Sequence, residues 1–97
     1  MKLYLISQDV VSGYDTYDSA VVAAKNEQAA RETHPSQFVT HYRDGRWKGT
    51  LAYSGEEYDQ DHQSDWVSFK NIDNVKVEYL GLTKKPAGVI CASFNAG

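Results

Sequence analysis

Asp44-Gly45 is the dipeptide that most constrains this chain. It sits between Phe38-Val39-Thr40-His41-Tyr42-Arg43 and Arg46-Trp47-Lys48-Gly49-Thr50-Leu51-Ala52-Tyr53, two runs rich in aromatic and β-branched residues. Both central positions of a type I′ turn need positive φ, which Asp and Gly tolerate, so the segment predicts a two-residue β-hairpin. A hairpin needs other strands and a covered face to be stable, so the flanking sequence must supply both.

Leu3-Tyr4-Leu5-Ile6 reads as a first strand ending in polar Ser7-Gln8-Asp9. The run Ala20-Val21-Val22-Ala23-Ala24 is β-branched in the middle and small at its ends, as a central strand under a helix would be, and it pairs antiparallel with the first. Asn26 can cap a helix whose first turn carries Glu27, and Ala29, Ala30 and Thr33 give it a narrow buried face. Pro35 ends that helix near His34, and at about eight residues it must dock on the sheet to exist. Residues 54–65 are polar and acidic with no usable period, which predicts a loop. Trp66-Val67-Ser68-Phe69 has strand composition, and 71–74 offer a turn. Val75, Val77 and Tyr79 then alternate with Lys76 and Glu78 along a half-buried strand. Residues 81–88 connect this to a final strand, Val89-Ile90-Cys91-Ala92-Ser93-Phe94. The expected fold is a single α+β domain over residues 1–97. It has a mainly antiparallel sheet with one short helix packed on a face, ββα followed by a β-hairpin and further strands.

At 97 residues the chain can build one core and little internal machinery. Cys91 is the only cysteine, which excludes an internal disulfide and fits a reducing, cytoplasmic setting. Its place between Ile90 and Ala92 in an apolar run predicts a buried packing role. No nucleophile elbow, phosphate loop or dinucleotide fingerprint is present, so the chain is expected to be non-enzymatic and to need no cofactor. His34, His41 and His62 lack the spacing of a zinc site, and the acidic segment lacks the glycine and terminal glutamate of an EF-hand, so no metal is expected. No run of residues is long and apolar enough for a membrane helix, and no secretory signal opens the sequence.

The net charge of −3 is unevenly spread. Residues 56–65 carry five carboxylates and no lysine or arginine, while the remainder holds ten lysines and arginines against eight acids. Glu56, Glu57, Tyr58, Asp59, Asp61, Asp65 and Trp66 therefore form a candidate surface for a protein partner with a basic face, with Tyr53 as a further aromatic anchor. The plainer reading of the same residues is a solvated loop. Arg43, Arg46, Trp47 and Lys48 of the hairpin place bases beside an aromatic, the combination that grips single-stranded nucleic acid, and they carry the alternative of a small nucleic-acid-binding regulator. A cross-strand aromatic pair would explain the same residues structurally. A small hydrolase or ligand-binding module is a further alternative; it would need a pocket, for which Tyr14, Asp15, Tyr17 and Asp18 are the densest polar and aromatic candidates.

The start Met1-Lys2-Leu3-Tyr4-Leu5-Ile6-Ser7-Gln8, the stretch Gly13-Tyr14-Asp15-Thr16-Tyr17-Asp18-Ser19-Ala20-Val21-Val22-Ala23-Ala24 and the ending Gly88-Val89-Ile90-Cys91-Ala92-Ser93-Phe94-Asn95-Ala96-Gly97 resemble a family of small uncharacterised proteins of bacteriophages and bacteria. The resemblance covers both ends of the chain and brings no catalytic residues with it. The layout of two strands and an alanine-rich helix is also similar to that of some anti-CRISPR proteins. Together these imply a phage-encoded inhibitor of a host defence complex, acting in the host cytoplasm by protein contact.

Overall fold

The computed structural model describes residues 1–13, 15–61 and 65–95. Strands β1 (Lys2–Ser7), β2 (Thr16–Ala24), β6 (Lys76–Leu82) and β7 (Gly88–Asn95) form one antiparallel sheet in the order β6-β1-β2-β7. Strands β3 (His41–Arg43), β4 (Arg46–Thr50) and β5 (Glu57–Asp59) form a second, smaller sheet in chain order, also antiparallel. The fold is α+β and mainly antiparallel, as the sequence predicts, with its strands divided between two sheets.

β1 and β2 pair with Leu3 opposite Ala23, Leu5 opposite Val21 and Ile6 opposite Ala20. The two-residue period then sends Tyr4, Ile6, Ala20, Val22 and Ala24 to one face, where all five are buried. Full burial of a side chain such as Ile6 or Val22 is worth about 1.5–3 kcal/mol. Leu3, Leu5 and Val21 lie on the opposite face and are half-buried. The turn that follows β1, over residues 8–11, is held by buried Gln8. Its Nε2 donates to the carbonyls of Val11 (2.9 Å) and Tyr17 (2.8 Å), and its Oε1 accepts from the amides of Val10 and Val11 (both 2.9 Å).

Helix α1 (Glu27–Arg31) starts as expected: Asn26 Oδ1 accepts from the Ala29 amide at 2.8 Å. It ends at Arg31, three residues before His34, with Glu32 as its C-cap and the Glu32 amide donating to the Gln28 carbonyl at 3.0 Å. Ala30 is its fully buried contact with the sheet. The rest of the covering layer combines two indoles with aliphatic side chains. Trp47, Trp66, Val67, Ile72 and Val75 join the strand residues in one cluster.

Other sequence expectations change as well. Residues 54–65 are not wholly a loop, since β5 runs through them. Trp66-Val67-Ser68-Phe69 is not a strand; Trp66 and Val67 are buried, and a 3-10 helix begins at Phe69 and runs to Asn74, replacing the expected turn. Strand-like composition here reflects burial in the core rather than pairing. Cys91 is exposed, not buried, because β7 is the edge of its sheet.

Candidate functional site

Asp44 (φ 55°) and Gly45 (φ 73°) make the type I′ turn, and the register sets His41 opposite Lys48, Tyr42 opposite Trp47 and Arg43 opposite Arg46. On the far side of β4, Lys48 faces Asp59, Gly49 faces Tyr58 and Thr50 faces Glu57. Alternation therefore sorts the small sheet into two faces. Tyr42, Trp47, Gly49 and Tyr58 share the inner one. His41, Arg43, Arg46, Lys48, Glu57 and Asp59 share the outer one.

The inner face is packed by rings. Trp47 is 2% exposed and donates from Nε1 to the Val67 carbonyl at 2.9 Å. Phe69 fits between Tyr42, stacked at 4.3 Å between centroids, and Trp47, met edge-on at 5.0 Å. Tyr58 lies over Gly49, where a Cβ would come within 2.6 Å of its ring and 2.5 Å of the Phe38 carbonyl oxygen, so the position needs glycine.

The outer face is a ladder of ion pairs. Arg43 reaches across β4 to grip Glu57, with Nε at 3.0 and 2.9 Å from its two carboxylate oxygens and a terminal nitrogen at 2.6 Å. The stem that spans two strand spacings, about 9.5 Å, is the long aliphatic part of the side chain. His41 Nε2 lies 2.9 Å from the same carboxylate. Arg46 holds Asp59 with both oxygens engaged, at 2.8 and 3.0 Å, and Lys48 Nζ sits 3.7 Å from Asp59 and 4.0 Å from Glu57. Arg43 and His41 together hold the Glu57 carboxyl down to about 2, while Glu57 and Asp59 raise the Arg43 and Arg46 guanidinium groups.

A depressed carboxylate stabilises the fold above its ordinary pKa, and that contribution disappears as pH falls through the folded value. Glu57→Gln should thus be less stable than the wild type at neutral pH. The gap should close between about pH 5 and about pH 2. Paired chemical-denaturation curves across that range check it, and a gap independent of pH would show that the Glu57 charge adds no stability.

The acidic and basic candidates of the sequence thus meet each other. Of the acidic group, Glu57 and Asp59 pair with the hairpin arginines, and Asp61 is buried. Asp61 Oδ1 accepts from the amides of Trp47 (3.0 Å) and Phe69 (2.8 Å), with Arg46 3.9 Å from its other oxygen. Asp65 accepts the Tyr17 amide on its carbonyl at 2.9 Å and turns Oδ1 toward His34 Nε2 at 3.7 Å. Trp66, at 1% exposure, is a core residue and not a surface anchor. Glu56 alone of the five carboxylates is exposed with no ion pair among the described residues. On the hairpin, Arg43, Arg46 and Lys48 have carboxylate partners and the Trp47 ring is inside, so no indole platform faces outward for a base to stack on.

A cleft of about 400 Å³ lies beside the ladder, between the α1–β3 connection and the start of β7. His34, His41, Glu32, Ser36, Trp47 and Val89 contribute to it. His34 Nδ1 accepts the Ser36 amide at 2.9 Å, so in the neutral ring the proton sits on Nε2, facing Asp65. The Nδ1 lone pair is thereby taken up, while buried Asp65 Oδ1, 3.7 Å from Nε2, is too far away to accept a hydrogen bond from it. Sequence reading missed His34 as the hub of this corner, where it meets Trp47 (5.1 Å) and Trp66 (6.2 Å). Of the Tyr14, Asp15, Tyr17 and Asp18 quartet, Tyr14 lies outside the described residues, Tyr17 packs on Phe94 at 4.6 Å, and Asp18 lines a shallow hollow of about 300 Å³. His62 also lies outside the described residues. Among the described residues no group of three or more His, Cys, Asp or Glu side chains could hold a metal ion, and no helix is long and apolar enough to cross a membrane.

The β4–β5 loop, exposed from residue 52 to residue 56, lies next to the ladder. The Leu51 amide donates to Glu56 (2.8 Å) and the Gly55 amide to Leu51 (2.8 Å), with a further bond from the Glu56 amide to Ser54 Oγ at 3.2 Å. At its tip Tyr53 is 89% exposed. No family model, curated protein or solved structure matches this chain.

Proposed function

We propose that this is a small non-enzymatic module that acts by covering a surface of a protein partner, in the manner of a phage-encoded inhibitor of a host defence complex. The single observation that carries the reading is Tyr53, displayed almost fully exposed on a loop already closed by its own hydrogen bonds. The loop backbone is fixed before contact and a tyrosine has only two side-chain torsions to order on binding, and aromatic anchors dominate interface energies. Exposed Glu56 beside it favours a partner with a basic rim around an apolar pocket. The contact moves from the carboxylates that the hairpin occupies to the loop tip that it leaves available.

Affinity capture from a bacterial host lysate tests this with three baits: the wild type, Tyr53→Ala and Glu56→Lys. One retained protein should weaken by about tenfold or more with Tyr53→Ala and by less with Glu56→Lys, while both variants keep the wild-type melting temperature. A partner that Tyr53→Ala holds as tightly as the wild type would remove the loop from the interface.

A further inference from the structure

The bases of this chain divide into two groups. Arg31, Arg43, Arg46, Lys48 and Lys76 each lie within ion-pair distance of a carboxylate. Lys2, Lys25, Lys84 and Lys85 are exposed and have no ion pair among the described residues. The sheet register brings these four to one end of the large sheet. Lys2 stands opposite both Ala24 and Leu82, so Lys25 leaves β2 and Thr83 leaves β6 at the same level, and the Thr83 amide donates to the Met1 carbonyl at 3.0 Å. β6 and β7 are the two edges of the sheet, so residues 83–87 span its width at this end, about 14 Å, and carry Lys84 and Lys85 with them. Residues 1–2, 24–26 and 82–88, which make this end, contain no aspartate, glutamate or aromatic residue. Glu27, the acid nearest to Lys25 along the chain, is paired with Arg31 at 3.3 Å. Apolar groups stand out among the ammonium groups: Leu82 is 77% and Met1 49% exposed, and with Thr83 and Lys84 they rim an open hollow of about 420 Å³.

We infer that this end of the sheet rests on an anionic lipid bilayer, with the four lysines at the headgroups and Leu82 and Met1 reaching the acyl boundary. The charge complements an acidic leaflet, where each lysine near the surface strengthens binding about fivefold. The bases are spread across the width of the sheet rather than gathered around one point, which matches a plane of mobile headgroups. All four are lysines, point charges that need no fixed phosphate geometry, while the arginines of the chain are occupied by carboxylates. An exposed leucine and methionine among them gain from acyl chains and gain nothing from a nucleic-acid backbone, and no ring is present at this end for bases to stack on. Contact of this kind lies on the surface and needs no spanning helix. It uses no residue of the β4–β5 loop, so it and the protein-contact proposal fail separately.

Flotation of the full chain with vesicles of phosphatidylcholine alone, and of phosphatidylcholine with about one-third phosphatidylglycerol, tests this. The chain should bind the second and not the first, and should be released as salt rises to about 1 M, where the Debye length is about 3 Å. Lys84→Glu combined with Lys85→Glu should weaken binding by about twentyfold or more, and Lys25→Glu, at the end of a different strand, by about fivefold or more. Leu82→Asn should weaken it by about threefold or more through lost apolar contact, and none of these exposed changes should lower the melting temperature. A chain that ignores the anionic vesicles, or binds the neutral ones as tightly, would overturn the inference. So would vesicle binding that the lysine reversals leave intact. Full vesicle binding by Leu82→Asn, or displacement of the chain by an oligonucleotide or polyglutamate at an equal concentration of charge, would reveal a general polyanion surface and overturn the bilayer as its partner.

Discussion

Trp47→Ala should lower the free energy of unfolding by about 3–5 kcal/mol, a large fraction of what a domain of this size has. The indole is 2% exposed and meets both Phe69 and His34 edge-on, and its Nε1 hydrogen bond holds the Val67 carbonyl. Removing it opens a cavity where the small sheet, the 3-10 helix and the large sheet's covering layer converge. Urea unfolding followed by circular dichroism measures the loss, with Tyr53→Ala as the surface control expected within about 0.5 kcal/mol of the wild type. A cost below about 1 kcal/mol for Trp47→Ala would mean that the small sheet is not anchored through this ring.

Asp61→Ala should cost about 2–5 kcal/mol, although it removes only a short side chain. One oxygen of Asp61 accepts from the Trp47 and Phe69 amides, so truncation leaves two donors without partners in a poorly hydrated place, each worth about 1–3 kcal/mol. Asp61→Asn retains an acceptor at the same position and should recover at least half of that loss. If the asparagine variant proves as damaged as the alanine one, the charge near Arg46 matters and the amide bonds do not.

The parts of the fold legible in sequence are those decided locally. The Asp44-Gly45 turn depends on backbone conformations that two residues supply, and Asn26 caps α1 through an amide three residues away. β1 and β2 announce themselves by composition and neighbour each other in the chain. β5 was illegible because it offers only Glu57, Tyr58 and Asp59, too few residues to show a period, and two of the three are charged. Their charge suits a strand only once Arg43 and Arg46 lie across from them, and that pairing joins residues 14 and 13 positions apart. Cys91 misled for a related reason: an apolar run looks the same in a central strand and at an edge, and strand order is set by the whole chain. The separated charges of the sequence were real, but folding brings them onto one face, which is why the candidate surface had to move to Tyr53.

The strand order of the large sheet also dictates a timetable. β1 and β2 are neighbours in the chain, yet each is flanked in space by a strand from its last quarter. At a synthesis rate of about 5–20 residues per second, roughly 4–14 s separate the appearance of β2 from that of β7. During that interval the nascent hairpin has both edges unsatisfied and its Ile6 and Val22 face incompletely covered, so the ribosome delivers a sheet that can close only when the end of β7 emerges.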